Sequence, residues 1–168
     1  MAMLGFITCP VRGEADRLIA DLAERLLAEG RDVIGMVRAD VAPKSDCEMH
    51  LRLLPEGDIH TISQDLGRGA DACVLDAGAL EQVVAQVARA LEGASPGTIA
   101  LFNKFGKQEA AGRGCRDLIA QAISADLTVI VSVPPEARAD FDRFTEGFAQ
   151  QIAPNSDALA AFLDSCAR

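Results

Sequence analysis

The chain has no tryptophan and no tyrosine, and only seven phenylalanines in 168 residues. A surface that stacks single-stranded bases is therefore not expected. Positive charge is short as well: 16 Lys and Arg stand against 25 Asp and Glu, a formal net charge of −9. That surface repels phosphate backbones and anionic membranes, which excludes generic nucleic-acid binding but leaves room for a local basic pocket. No apolar stretch approaches the length of a membrane span. The first apolar run is too short for a signal sequence and has no basic residues before it. The five cysteines (Cys9, Cys47, Cys73, Cys115, Cys166) are odd in number and scattered, with no Cys-x-x-Cys pair. This usage suits reduced thiols in a cytoplasmic protein rather than a disulfide framework. Repeats, low-complexity tracts and long linkers are also missing, so residues 1–168 read as one domain.

What is present is a chain that can build a core, at 49% apolar and 24% charged residues. Apolar runs at 4–8, 33–37, 98–102 and 127–133 lack polar alternation and predict buried strands. Between them, Leu18, Ile19, Leu22 and Leu26, then Leu80, Val83, Val84, Val87 and Leu91, then Leu118, Ile119, Ala122 and Ile123 recur at helical spacing. Gly30 supplies a stop for the first helix, and Asp76 an N-cap for the second. Residues 48–54 and 59–64 flank Pro55-Glu56-Gly57-Asp58 and predict a hairpin with one wet face. Phe141, Phe144, Phe148 and Ile152 predict one further helix with a packed stripe, and Leu159, Phe162 and Leu163 a last one. The pattern is that of a three-layer α/β sandwich, its mainly parallel sheet covered on both faces, with a small hairpin insertion. Ligands of such sheets bind beyond the carboxyl ends of the strands, so the loops after Thr8, Phe102 and Val133 hold the candidate residues.

The first loop lies where a phosphate-binding loop would be. With Gly13 as the second glycine of G-x-x-x-x-G-K-[ST], Thr8 stands at the first glycine, Glu14 at the lysine and Ala15 at the Ser/Thr. Glu14 repels a polyphosphate and Ala15 cannot ligate magnesium, while Arg12 restores some positive charge. A plain strand-to-helix turn fits the same residues. The densest polar cluster runs from Asn103 through Lys104, Phe105, Gly106, Lys107, Gln108, Glu109, Gly112, Arg113, Gly114 and Cys115 to Arg116. Its cations suit an anion, its glycines let backbone amides approach that anion, and Glu109 suits positioning of water or a metal. A solvated loop with internally paired charges is the alternative. Arg68, in Gly67-Arg68-Gly69, is a further candidate for the same anion. Cys47-x-x-His50 with His60 has loose metal-ligand spacing, but these residues fit a wet strand face better, so no metal site is assigned.

The run Asn103-x-Phe105-Gly106-Lys107-x-Glu109-x-x-Gly112-x-Gly114, with Ser63-Gln64-Asp65-Leu66-Gly67 and Cys73-x-Leu75-Asp76 before it, resembles a bacterial family known as domain of unknown function 2478. It is also similar to the segment that ends the Walker B strand of small P-loop nucleoside triphosphatases. In that comparison Gly106, Lys107 and Glu109 match, whereas Asn103 stands for the magnesium-organising aspartate and Lys104 for its neighbouring glutamate. The resemblance implies a P-loop-type fold with degenerate Walker motifs. It further implies a link with molybdenum uptake or cofactor genes, hence molybdate as a ligand.

Three functions follow. The first is a binding protein for a nucleotide or small oxyanion, with Arg12, Gly13, Arg68, Asn103, Lys104, Gly106, Lys107, Gln108, Gly112, Arg113 and Gly114 around the anion. The second is a magnesium-dependent nucleoside triphosphatase using Lys107 and Glu109 as catalytic groups. The third is a non-catalytic adaptor for a partner protein. The altered Walker positions favour the first.

Overall fold

The computed structural model describes residues 2–40, 48–64 and 74–168. The apolar runs form strands β1 (Met3–Ile7), β2 (Val33–Arg38), β7 (Ile99–Asn103) and β8 (Thr128–Ser132). The hairpin comprises β3 (His50–Leu54) and β4 (Ile59–Thr61), followed by two-residue strands β5 (Ser63–Gln64) and β6 (Val74–Leu75) and later β9 (Gln150–Gln151). The helices are α1 (Glu14–Ala28), α2 (Ala77–Glu92), α3 (Lys107–Ala110), α4 (Arg116–Ser124), α5 (Arg138–Thr145) and α6 (Ser156–Cys166).

Seven strands make one sheet in the order β4-β3-β2-β7-β8-β1-β9, with β5 and β6 paired separately. From β2 to β9 the neighbours are parallel, while β3 pairs antiparallel with both β2 and β4 and alone runs against the rest of this sheet. Parallel pairing needs both faces covered, and two cores supply the cover. Ile19, Leu22 and Leu26 of α1 pack with Leu159, Phe162 and Leu163 of α6 on one face. Leu80, Val83 and Val87 of α2 pack with Leu118 and Ile119 of α4 and Phe141 of α5 on the other.

Helix boundaries follow local chemistry. Gly30, at φ 71°, ends α1 in the left-handed region, where its N–H donates to Leu27. Asp76 caps α2 by accepting from the Ala79 N–H at 3.0 Å.

The end of the chain departs from the periodic reading. The helix predicted through Phe148 and Ile152 stops at Thr145, because Glu146 and Gly147 both take positive φ. Phe148 is therefore off the helix and 56% exposed, not part of the packed stripe, while Phe141 is fully buried. Gln150 and Gln151 then form a strand along β1, a pairing that no apolar alternation announces.

Candidate functional site

The register fixes where the strand tips lie. Asn103 pairs with Ser132, and Ser132 with Ile7, so β7, β8 and β1 end side by side with β8 in the middle. Val133 donates its N–H to the Ile7 carbonyl at 2.9 Å, and Phe105 to the Ser132 carbonyl at 3.0 Å. These bonds carry the pairing past the strand ends and hold the three following loops at one edge. Between the tips, the Ser132 hydroxyl donates to Asn103 Oδ1 at 3.3 Å, and both residues are buried.

The polar cluster folds around one carboxylate. Glu109 is 5% exposed; its Oε1 accepts from the Gly106 N–H at 3.0 Å and its Oε2 from the Cys115 N–H at 3.3 Å. Gly114, at φ 61°, leaves room for that carboxylate, since a Cβ there would overlap Oε2. Phe105 is buried against Phe141, with ring centroids 5.2 Å apart, and stacks on Phe144 at 5.4 Å. Arg116 covers the same Phe144 ring at 5.1 Å. Burial pushes the Glu109 carboxyl above its ordinary value, while the donors at Gly106 and Cys115 pull against that rise.

This packing changes the expected role of the glycines. The Gly106 N–H is held by Glu109, that of Gly112 by the Glu109 carbonyl, and that of Gly114 by Glu81 Oε1. Arg113 donates its N–H to the Gln108 carbonyl and its Nε to Gln108 Oε1. The expectation that Gly106, Gly112 and Gly114 offer amides to an anion is therefore corrected. The donors of Gly106 and Gly112 close the loop on itself, and that of Gly114 ties it to Glu81 of α2. Lys104, Lys107 and Arg113 stay exposed. Among the described residues, no ion pair engages any of the three.

The β1–α1 loop is built the opposite way. Gly13 stands at φ 82° before the first turn of α1. Among the described residues, no group accepts from the N–H of Arg12, Gly13, Ala15 or Asp16, while Glu14 and Arg17 donate to Val11 and Gly13. Open amides at a helix start suit an anion. The Thr8 hydroxyl oxygen is buried with no partner among those residues, and lines a cleft of about 260 Å³ with Cys9, Pro10, Pro135 and Arg138. Sequence reasoning passed over Arg38, the last residue of β2, whose Nη1 donates to the Gly13 carbonyl at 3.4 Å. A charged residue closing a buried strand was the available signal. Arg12, by contrast, is exposed.

Two other expectations meet the geometry. His50 lies opposite Thr61, and Leu51 opposite His60, so the two histidines are on opposite faces of the hairpin and cannot share an ion. His50 Nδ1 instead lies 3.1 Å from the Thr61 hydroxyl, and its Nε2 3.4 Å from Glu48. Cys47 and Arg68 fall outside the described residues. Among the described residues no cluster of His, Cys, Asp and Glu could hold a metal. Magnesium also finds no ready side-chain ligands at the Walker positions, where Ala15 has no side-chain oxygen and the Asn103 Oδ1 already accepts from Ser132. The larger cleft, about 370 Å³, lies at the opposite edge of the sheet between the hairpin turn and α2. It is lined by Glu56 and Asp58 against a single cation, Arg89, so its charge does not favour an anion.

A mainly parallel sheet between helical layers, with a glycine-ended loop between β1 and α1, is a fold that this chain shares with solved nucleoside triphosphatases. A human cancer-related nucleoside triphosphatase superposes with a TM-score of 0.68 at 18% identity, covering 99% of this chain and 96% of that one. THEP1 from Aquifex aeolicus superposes at 0.66 and 16% identity, covering 97% and 96%. The family model described as a protein of unknown function (DUF2478) matches residues 4–162, and the chain belongs to that family. Among curated proteins, molybdenum import ATP-binding protein ModC 2 of Bradyrhizobium diazoefficiens is 35% identical over 151 residues. That match takes in 89% of this chain, which spans only 17% of the relative's length. No helix among the described residues is long and apolar enough to cross a membrane.

Proposed function

We propose that this chain binds the phosphates of a nucleotide at the β1–α1 loop and does not hydrolyse it rapidly. The observation that carries the reading is the contrast between two loops at one sheet edge. The loop from Thr8 to Gly13 keeps amide donors open, whereas the loop from Gly106 to Cys115 has closed its own around Glu109. Phosphoryl transfer rests on placed cations and a magnesium-organising acid. Here Glu14, Ala15 and Asn103 occupy the positions that would supply them. Lys104, Lys107 and Arg113 act as flexible cationic arms beside the bound phosphates, and Glu109 holds their loop in shape. Cys9 and Cys115, buried as free thiols, fit a reducing cytoplasmic setting.

Thermal unfolding of the full chain against ATP, ADP and GTP, each with and without magnesium, tests the reading. A nucleotide at a hundred times its dissociation constant stabilises by about 2.7 kcal/mol, a rise of about 5–11 °C at this size. No shift with any nucleotide would refute it. A magnesium-dependent phosphate release lost in Lys107→Ala would favour the triphosphatase instead. A second reading, an oxyanion carrier, is favoured by the molybdenum-import relative. It predicts a shift with molybdate or tungstate but none with nucleotides. Silence toward all ligands together with a stable protein complex would favour the adaptor.

Lys107→Ala with Arg113→Ala should weaken nucleotide binding and leave the apo melting temperature within about 2 °C, since exposed charges add little to stability. Calorimetric titration of the double variant checks this. Unchanged affinity would remove both side chains from the site.

A further inference from the structure

The first loop lacks its lysine, yet a cation has arrived there from elsewhere in the chain. Position 14 holds a glutamate in the first turn of α1, with Asp16 beside it. Arg38 comes from the carboxyl tip of β2, a strand separated from β1 by β7 and β8. Its Nη1 sits 3.4 Å from the Gly13 carbonyl, and a Cβ on Gly13 would lie 2.7 Å from that nitrogen. The guanidinium therefore occupies the space that the missing Gly13 side chain leaves. Its Nε lies 3.5 Å from the Asp40 carboxylate.

Asp40 gives Arg38 an ion-pair partner at 3.5 Å, but the helix start itself does not favour a cation. The start of a helix carries the positive end of its dipole, which disfavours a guanidinium as it favours an anion. The bond to Gly13 is long, the Asp40 pair is loose, and a guanidinium has five donors to place. An anion on the amides of Gly13, Ala15 and Asp16 would reverse the sign of the helix interaction and take up the remaining donors.

We propose that Arg38 is the phosphate-binding cation of this loop, delivered from β2 in place of the lysine that position 14 does not provide. The inference rests on the nucleotide reading above and assigns the charge-neutralising residue of that site. A planar, always charged fork suits two phosphate oxygens at once and offsets the exposed Glu14 carboxylate in the first turn.

The test is calorimetric titration of ADP into the full chain and into Arg38→Ala, Arg38→Lys, Glu14→Lys and the Arg38→Ala/Glu14→Lys double variant. Apo melting temperatures are measured alongside. The expected result is that Arg38→Ala weakens ADP about tenfold or more. Arg38→Lys should recover part of the loss, and Glu14→Lys should recover affinity in the Arg38→Ala background, because it puts a cation back from the usual position. Wild-type affinity in Arg38→Ala, with ADP still bound, overturns the assignment and leaves the nucleotide reading standing. A loss that neither lysine recovers shows that Arg38 shapes the loop through Gly13 and does not neutralise phosphate. An absence of ADP binding by the wild-type chain removes the nucleotide reading itself, and the assignment with it.

Discussion

Replacing Glu109 with alanine should cost about 2–6 kcal/mol of stability, because the Gly106 and Cys115 N–H groups both lose their acceptor in a buried loop at about 1–3 kcal/mol each. At this chain length the melting temperature should fall by about 4–24 °C. Glu109→Gln should fall between the wild type and alanine. Its oxygen can still accept from one N–H, but its amide group then faces the other donor. The pH dependence has a definite sign. Burial raises the Glu109 carboxyl above its ordinary value of 4.5 in the folded chain. The folded state thus holds this proton more tightly than the unfolded state. Its contribution is complete below the unfolded value and declines as pH rises through the folded one. The stability gap between wild type and Glu109→Ala should therefore widen as pH falls from neutral toward that range. Denaturant titrations of both proteins at several pH values check it. A gap that narrows on acidification would show a carboxyl stabilised in its charged form, and a gap near zero throughout would end the structural role of Glu109.

Gly35→Ala should be more damaging still. Gly35 lies inside β2 at φ 130°, and a Cβ there would overlap the Leu101 carbonyl of the neighbouring β7. That backbone belongs to the middle of the parallel sheet and cannot turn away as a side chain could. The substitution must pry apart β2 and β7 or break the φ of Gly35, and we expect a loss beyond about 4 kcal/mol, seen as little soluble folded protein. Gly97→Ala is the control. Gly97 has φ 89° with nothing within 4 Å, so it carries only the backbone penalty of about 1–2 kcal/mol. Similar melting temperatures for the two variants would mean that the close approach at Leu101 is not what requires glycine at position 35.

Much of the fold was legible because burial writes itself into apolar runs. A parallel strand covered on both faces has no polar alternation, and 98–102 and 127–133 show none. The hairpin turn at Pro55 to Asp58 and the caps at Gly30 and Asp76 are set by local conformational preference, which a single chain displays directly. The β9 strand was not legible. Gln150 and Gln151 are exposed and join the sheet through backbone hydrogen bonds to β1, and backbone pairing leaves no mark on side-chain type. Phe148 misled for a related reason: its spacing continues the α5 stripe, but Glu146 and Gly147 break the helix before it.

The candidate site divides along the same line. Residue identities alone put Glu14, Ala15, Asn103 and Lys104 where the family comparison expects the Walker lysine, hydroxyl and two acids, since these are positions along one chain. They also place the cationic cluster directly after a buried strand. Which loop keeps its amides open emerges from the folded chain, because glycine spacing is the same whether N–H groups face a ligand or a buried carboxylate. Glu109 sits within the loop that it closes, and its partners are visible only once that loop is folded. Arg38 and Gly13 are 25 residues apart, on elements that meet only when α1 crosses the sheet. Their contact is a long-range product of packing, and no local pattern could have announced it.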